Sequence, residues 1–103
     1  MQRRLAILTS ATALVLSMAS APVFGQQKEK VSLMLNWYLY SEHAPFFLGR
    51  EKGYFEAEGI DLDIQEGRGS GPTIQAVAAK TVSFGYADVG TMIKIAAKGA
   101  PVK

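Results

Sequence analysis

The sequence predicts an α/β fold in which helices cover a mainly parallel sheet. Short apolar runs alternate with segments of helical periodicity, in the order strand, helix, strand, helix, strand, helix. Glycine or proline stands at most of the boundaries between them. Because strands that are separated by helices are joined by right-handed crossovers, the strands should run parallel, with helices on both faces of the sheet.

The first half of the pattern begins with the apolar run Val31–Asn36, which has the length and composition of a buried strand. A helix is predicted from Pro45, which suits a first helical turn, to Gly53, which suits a helix end. Apolar side chains then alternate with polar ones over Ile60–Gln65. This period of two predicts a strand with one face toward solvent.

The second half follows a glycine-rich loop, Glu66–Gly71. Apolar residues at helical spacing predict a helix over Pro72–Lys80. Val82–Tyr86 has the composition of a third short strand. Asp88 is a good N-cap and should begin a helix over Val89–Lys98.

Composition excludes several classes of protein. The 103 residues contain no cysteine, and 11 Lys and Arg against 9 Asp and Glu give a net charge of +2. The missing cysteines exclude a disulfide scaffold, a cysteine-ligated zinc site and a lipoprotein anchor. So small a charge, with the basic residues scattered, also argues against a nucleic-acid partner.

The amino terminus has the layout of a secretory signal peptide. Arg3 and Arg4 precede an uncharged apolar stretch, Leu5–Met18, which is too short to favour a transmembrane anchor. Cleavage is expected after Ala21 or Gly25. We take residues 1–25 as the signal peptide and 26–103 as the mature segment. This segment carries equal numbers of basic and acidic residues. Because the signal peptide directs export and no cysteine could carry a lipid anchor, we expect periplasmic localisation without membrane insertion.

Three loops should meet where the strands end: 36–44, 66–73 and 87–90. In open α/β sheets, ligands bind beyond the carboxyl ends of the strands. The glycine loop matches neither dinucleotide nor Walker motifs, because Pro72 stands where these require glycine. Its amides and hydroxyls could still hold an anionic or polar group, and the candidate residues are Gly69, Ser70, Gly71 and Thr73. An ordinary strand-to-helix connection, with Ser70 as a cap, remains the alternative.

Aromatic residues follow the first strand and precede the only histidine. Trp37 and Tyr40 could stack on a flat solute, and His43 could hydrogen-bond it, although core packing is equally open for Trp37. A metal role for His43 is not favoured, because the chain has no second histidine and no cysteine. A triad of Ser70, His43 and Asp88 is rejected, since Ser70 has no nucleophile-elbow context.

The motifs LNWYLYSEHAPFFLGREKGYF, GIDLDIQEGRGSG, SFGYADVG and KGAPV occur together in this order. In this combination the sequence resembles the amino-terminal end of periplasmic substrate-binding proteins of ABC importers, in the nitrate, sulfonate, taurine and thiamine-pyrimidine class. The resemblance implies the first part of lobe one of a type II periplasmic binding protein fold. It also implies a small-molecule solute in a cleft, a membrane permease as partner, and no cofactor.

The resemblance also implies roles for particular residues. Asn36, Trp37 and His43 match the branch that handles thiamine pyrimidine precursors, although Leu39 stands where that branch often has proline. Ser70 and Gly71 match the loop that receives anionic groups in sulfonate- and nitrate-binding members, which keeps those solutes as an alternative. Asp88 matches the cap of the third helix and is counted among the candidate ligand-binding residues.

The same family contains fungal thiamine pyrimidine synthases that use a pyridoxal phosphate lysine and a sacrificed histidine. Ala87 and Thr91 stand at those two positions, and Lys94 lies one helical turn further on. Without an amine at residue 87 no Schiff base can form there. A binding protein with no catalytic residues is therefore expected, with a synthase as the alternative.

Overall fold

The computed structural model describes Gly25 and residues 27–103, so the predicted signal peptide, apart from Gly25, lies outside the described residues. The α/β prediction is confirmed by a three-stranded parallel sheet in the order β2-β1-β3. The strands are β1 (Glu29–Met34), β2 (Ile60–Gln65) and β3 (Phe84–Gly85).

The central strand, β1, pairs with β2 along its whole length. The predicted range, 31–36, begins and ends two residues after the observed strand. The strand begins earlier than predicted because charged Glu29 and Lys30 also pair with β2. Pairing, rather than apolar content, sets where this strand begins. The predicted bounds of β2 are confirmed, and its alternation holds, with Leu62 buried between two exposed aspartates.

The third strand is shorter than predicted. It pairs only through Phe84 and Gly85, whereas the apolar run predicted 82–86. Just before it, the Ser83 amide donates to the Ser32 hydroxyl at 2.9 Å, so a side chain takes the place of a main-chain partner. This polar contact delays the start of the ladder.

Among the described residues, the helical elements between β1 and β2 are the 3₁₀ turn Ser41–His43, α1 (Ala44–Glu51) and α2 (Tyr54–Ala57). Between β2 and β3 lies α3 (Ser70–Ala78), and α4 (Val89–Ala97) follows β3. The short helix α2 was not predicted. Gly53, with φ of +76°, ends α1 and also caps α2, a backbone conformation that favours glycine. Asp88 caps α4 as predicted, its carboxylate accepting the Thr91 amide at 2.7 Å.

Helix α3 begins two residues earlier than predicted. Its N-cap is Gly69, with φ of +124°, and not Ser70. The glycine permits a sharp turn out of the loop, so the helix starts before Pro72 rather than at it. Ser70 is therefore the first residue of the helix.

Helices lie on both faces of the sheet. Phe84 lines an apolar groove with Phe46 of α1 and Phe55 of α2, whereas a Cβ on the next residue, Gly85, would meet Val77 of α3 at 2.9 Å. Because successive strand residues point to opposite faces, α3 covers the face opposite α1 and α2. The core consists of Leu33, Leu35 and Leu62, with partly buried Val31, Phe46, Phe47, Phe55, Ile60, Ile64 and Tyr86 around it. No helix among the described residues is long and apolar enough to cross a membrane.

Candidate functional site

The loops that follow β1 and β2 are hydrogen-bonded to each other. The Gly67 amide donates to the Trp37 carbonyl at 3.1 Å, and the Gly69 amide donates to the Asn36 carbonyl at 2.8 Å. The Thr73 hydroxyl donates to the Leu35 carbonyl at 2.9 Å. The first two predicted loops therefore form one connected structure.

The loop that follows β3 joins the same edge of the sheet. The Tyr86 amide donates to the Met34 carbonyl at 2.9 Å, which continues the pairing with β1 by one bond. The Asp88 amide then donates to the Ser70 hydroxyl at 2.9 Å. All three predicted loops thus meet at the carboxyl ends of the strands, where an open α/β sheet holds its ligand.

A buried histidine orients the Asn36 amide. His43 is 1% exposed, and its Nε2 lies 2.7 Å from Asn36 Oδ1. The Tyr40 amide donates to Nδ1 at 3.4 Å, so the neutral ring carries its proton on Nε2 and donates it to Asn36. Both ring nitrogens have partners within the protein. The Asn36 oxygen is occupied as well, and one N–H of its NH₂ group is directed to the Tyr40 hydroxyl, which leaves the other N–H to donate to a ligand.

Glu42 links the first and third loops. Its carboxylate accepts the hydroxyl protons of Tyr40 and Tyr86. These two hydrogen bonds, first that of Tyr40, hold the pKa of Glu42 below its ordinary value. The bond to Glu42 is also the main reason that the pKa of each tyrosine is raised. Both rings pack edge-on against His43, at centroid distances of 4.4 Å and 5.8 Å.

We expect Glu42 and its tyrosines to shape the pH dependence of stability. Because the pKa of Glu42 is lowered from 4.5, its contribution is present above that value and is lost as pH falls through the folded-state pKa. Because the pKa values of Tyr40 and Tyr86 are raised from 10.0, their contribution is complete below that value and is lost as pH rises through the folded-state pKa. The melting temperature of Glu42→Gln, measured across the pH range, should depend less on pH than that of the unmodified chain at both the acidic and the alkaline end.

The matched control is Glu51→Gln, which replaces an exposed carboxylate on α1. It should keep the pH profile of the unmodified chain. A Glu42→Gln profile identical to that of Glu51→Gln would contradict the link between the two loops.

A group of four exposed apolar side chains, three of them aromatic, follows β1. Its members are Trp37, Tyr38, Leu39 and Tyr40, and the indole is 51% exposed. This exposure answers the question that the sequence left open, since Trp37 does not pack in the core of the described residues. Trp37 meets Tyr38 edge-on, with centroids 5.4 Å apart. A face of this kind can stack on a planar solute.

Sequence reasoning missed Arg68 in the glycine loop. Its guanidinium carbon lies 4.1 Å from the centre of the Tyr38 ring, a cation–π contact. The neighbouring Glu66 accepts the Leu39 amide at 3.0 Å. The sequence shows a basic residue between two glycines, but it does not indicate which aromatic ring the side chain of that residue contacts.

The glycine loop differs from the predicted anion cradle. Thr73 is fully buried, with its hydroxyl proton used on a carbonyl, and the Gly69 amide is also used within the fold. These two groups stabilise the loop and present no donor to a solute. Ser70 accepts from the Asp88 amide through its oxygen, and its hydroxyl proton remains to donate. Gly71 lies in the first turn of α3.

The Asp88 carboxylate also makes its hydrogen bonds within the fold. It accepts from both the amide and the hydroxyl of Thr91, and these bonds, first that to the amide, lower its pKa. The predicted cap is confirmed, and the carboxylate serves α4. Among the residues that the structure describes, no group of three His, Cys, Asp or Glu could hold a metal ion.

The parallel sheet with helices on both faces places the chain in the α/β class. Residues 40–103 match the model of the family described as NMT1/THI5 like, and the chain belongs to this family. It is 33% identical over 75 residues to 4-amino-5-hydroxymethyl-2-methylpyrimidine phosphate synthase of Legionella pneumophila, which covers 73% of this chain and 24% of that protein.

Two further relatives have names that concern thiamine or its pyrimidine. One, from Haemophilus influenzae, is assigned by its name to thiamine biosynthesis. It is 29% identical to this chain, over an alignment that covers 82% of this chain and 26% of that protein. The other is a 4-amino-5-hydroxymethyl-2-methylpyrimidine phosphate synthase of Saccharomyces cerevisiae. It is 30% identical to this chain, over an alignment that covers 72% of this chain and 22% of that protein. The chain thus spans about a quarter of the length of these relatives. No solved structure matches it.

Proposed function

We propose that the protein is the solute-binding component of an ABC-type import system and captures a thiamine pyrimidine precursor. The observation that carries the proposal is the pairing of Asn36 with buried His43 beside the exposed indole of Trp37. A planar aminopyrimidine could stack on the indole and accept a hydrogen bond from the Asn36 NH₂ through a ring nitrogen. The names of the relatives, which concern thiamine and its pyrimidine, support this class of solute.

The setting that we propose is the periplasm. The basic and apolar start of the sequence supports export, and a permease in the inner membrane would receive the solute. A nitrate, sulfonate or taurine ligand is the alternative within the same class of protein. The free hydroxyl proton of Ser70 favours it, because that proton can donate to an oxyanion.

A pyrimidine synthase is the candidate from another class, and the names of several relatives favour it. This chain's residues do not fit the pyridoxal phosphate that such an enzyme would hold. Ala87 carries no amine, and Thr91 donates its hydroxyl proton to Asp88. Lys94 is an exposed residue of α4. A pyridoxal phosphate absorbance band that Lys94→Ala abolishes would favour the enzyme over our proposal.

Calorimetric titration tests the proposal directly. We expect Trp37→Ala to weaken binding of 4-amino-5-hydroxymethyl-2-methylpyrimidine by about 10- to 100-fold, because stacking on an aromatic side chain contributes about 1–3 kcal/mol. Binding of ethanesulfonate should change much less. Tyr54→Ala is the matched control, since Tyr54 is an aromatic residue on α2 that is even more exposed than Trp37.

Three results would count against the proposal. If neither the pyrimidine nor ethanesulfonate, taurine or nitrate binds the unmodified chain, the function as a solute-binding protein fails. If the sulfonate alone binds, the alternative solute class replaces the pyrimidine. If Trp37→Ala affects the pyrimidine and the sulfonate equally, stacking has no part in recognition.

A further inference from the structure

The backbone at Arg68 is fixed against the proposed binding loop. The preceding residue, Gly67, donates to the Trp37 carbonyl, and the following residue, Gly69, donates to the Asn36 carbonyl. Arg68 therefore stands between two hydrogen bonds to the residues that carry the proposed site. Arg68 is the one basic residue of the glycine loop, 66–71, so it is the cation of this loop that a solute on Asn36 and Trp37 would meet.

The side chain of Arg68 is held in one orientation. Its guanidinium lies over the Tyr38 ring, and Nη1 donates to the Gly67 carbonyl at 2.8 Å. Tyr38 also contacts Trp37, so a single ring bridges the indole and the guanidinium. The side chain is 58% exposed, and the guanidinium has more N–H donors than its one hydrogen bond uses.

The charge of Arg68 is only weakly balanced by its neighbour. The nearest carboxylate oxygen, Oε2 of Glu66, is 3.9 Å from Nη1, at the outer limit of an ion pair. The other Glu66 oxygen accepts the Leu39 amide. Ion pairs this long and this exposed contribute little, so the guanidinium remains able to bind an anion.

We propose that Arg68 determines specificity and selects solutes that carry an oxyanion group next to a planar ring. The inference rests on the proposed function and deepens it. The oxyanion is a carboxylate, sulfonate or phosphate, all of which match the fork of N–H donors on arginine. The ring stacks on Trp37 while the anion meets the guanidinium that lies over Tyr38.

The test compares charged and neutral forms of a pyrimidine and of a benzene ring by calorimetric titration of the full chain. The probes are 4-amino-5-hydroxymethyl-2-methylpyrimidine, its phosphate ester, benzoate, benzenesulfonate and benzyl alcohol. We expect each anion to bind about 10- to 100-fold more tightly than its neutral counterpart, as charge-assisted hydrogen bonds allow. Arg68→Gln should remove this preference and leave affinity for the neutral probes within about twofold. Arg68→Lys should keep part of it, because the charge remains without the fork.

Arg50→Gln is the matched control. Arg50 also lies over an aromatic ring, with 5.2 Å between its guanidinium carbon and the Phe47 ring centre, but it stands on α1. It should keep the full preference for anions. Comparing the three anions identifies which oxyanion fits best.

Each further outcome separates the inference from the proposed function. If Arg68→Gln keeps the preference, or if the unmodified chain binds neutral and anionic probes equally, the role of Arg68 is overturned while the proposed function stands. If the unmodified chain binds none of the probes, both are overturned. If Arg50→Gln loses the preference as fully as Arg68→Gln, general surface charge explains the effect and the inference is overturned.

Discussion

Replacing Gly67 by alanine is expected to destabilise the protein more than any other single methyl addition at a described glycine. An added Cβ would lie 1.7 Å from the Leu35 carbonyl oxygen and 2.8 Å from the Thr73 hydroxyl. Both neighbours are held, because that hydroxyl donates to that carbonyl. The loop must therefore separate from β1, and overpacking of this severity costs about 3 kcal/mol or more.

Urea denaturation followed by tryptophan fluorescence measures this effect, since Trp37 is the only tryptophan. Gly71→Ala is the matched control, because a Cβ at Gly71, in the first turn of α3, meets nothing within 4 Å. It should be neutral or stabilising by up to about 1 kcal/mol. Equal midpoints for the two variants would show that the loops after β1 and β2 are not in close contact.

The second large effect is expected at His43, which we regard as a positioning residue. His43→Leu fills most of the ring's volume but removes the donor to Asn36 Oδ1. The Asn36 amide then loses its fixed orientation, and its oxygen loses a partner, at a cost of about 1–3 kcal/mol. Affinity for 4-amino-5-hydroxymethyl-2-methylpyrimidine should fall by more than about tenfold in consequence.

His43→Gln separates positioning from packing. Glutamine can return an N–H donor to Asn36, so it should recover part of the affinity that His43→Leu loses. A double-mutant cycle with Asn36→Ala isolates the coupling. If the losses from His43→Leu and Asn36→Ala simply add, the two side chains act independently and the orienting role of His43 is wrong.

The sequence predicted those features that local chemistry decides. The alternation of Ile60–Gln65 gave β2 with correct bounds, and the capping ability of Asp88 located the start of α4. The meeting of three loops also followed from strand order, because parallel strands place their carboxyl ends on one edge. Each of these inferences needs only neighbours along the chain or a general rule of topology.

Features that depend on tertiary contacts were missed. The short β3 reflects a hydrogen bond between Ser83 and Ser32, residues that lie far apart in the sequence. The burial of Thr73 depends on the Leu35 carbonyl, and the importance of Arg68 depends on the placement of Tyr38. Residue type alone marked Thr73 as a ligand donor, but the structure uses its hydroxyl proton to fix the loop.

The strand order has a consequence for synthesis of the chain. Among the strands of the described residues, β1 comes first along the sequence but lies in the middle of the sheet. As the chain leaves the ribosome, β1 emerges with both edges open and stays so until β2 is complete at Gln65. Its second edge stays open until Phe84 has been made. Because open apolar strands recruit other chains, nascent chains shorter than this should be the aggregation-prone species, and they are the ones that most need a chaperone.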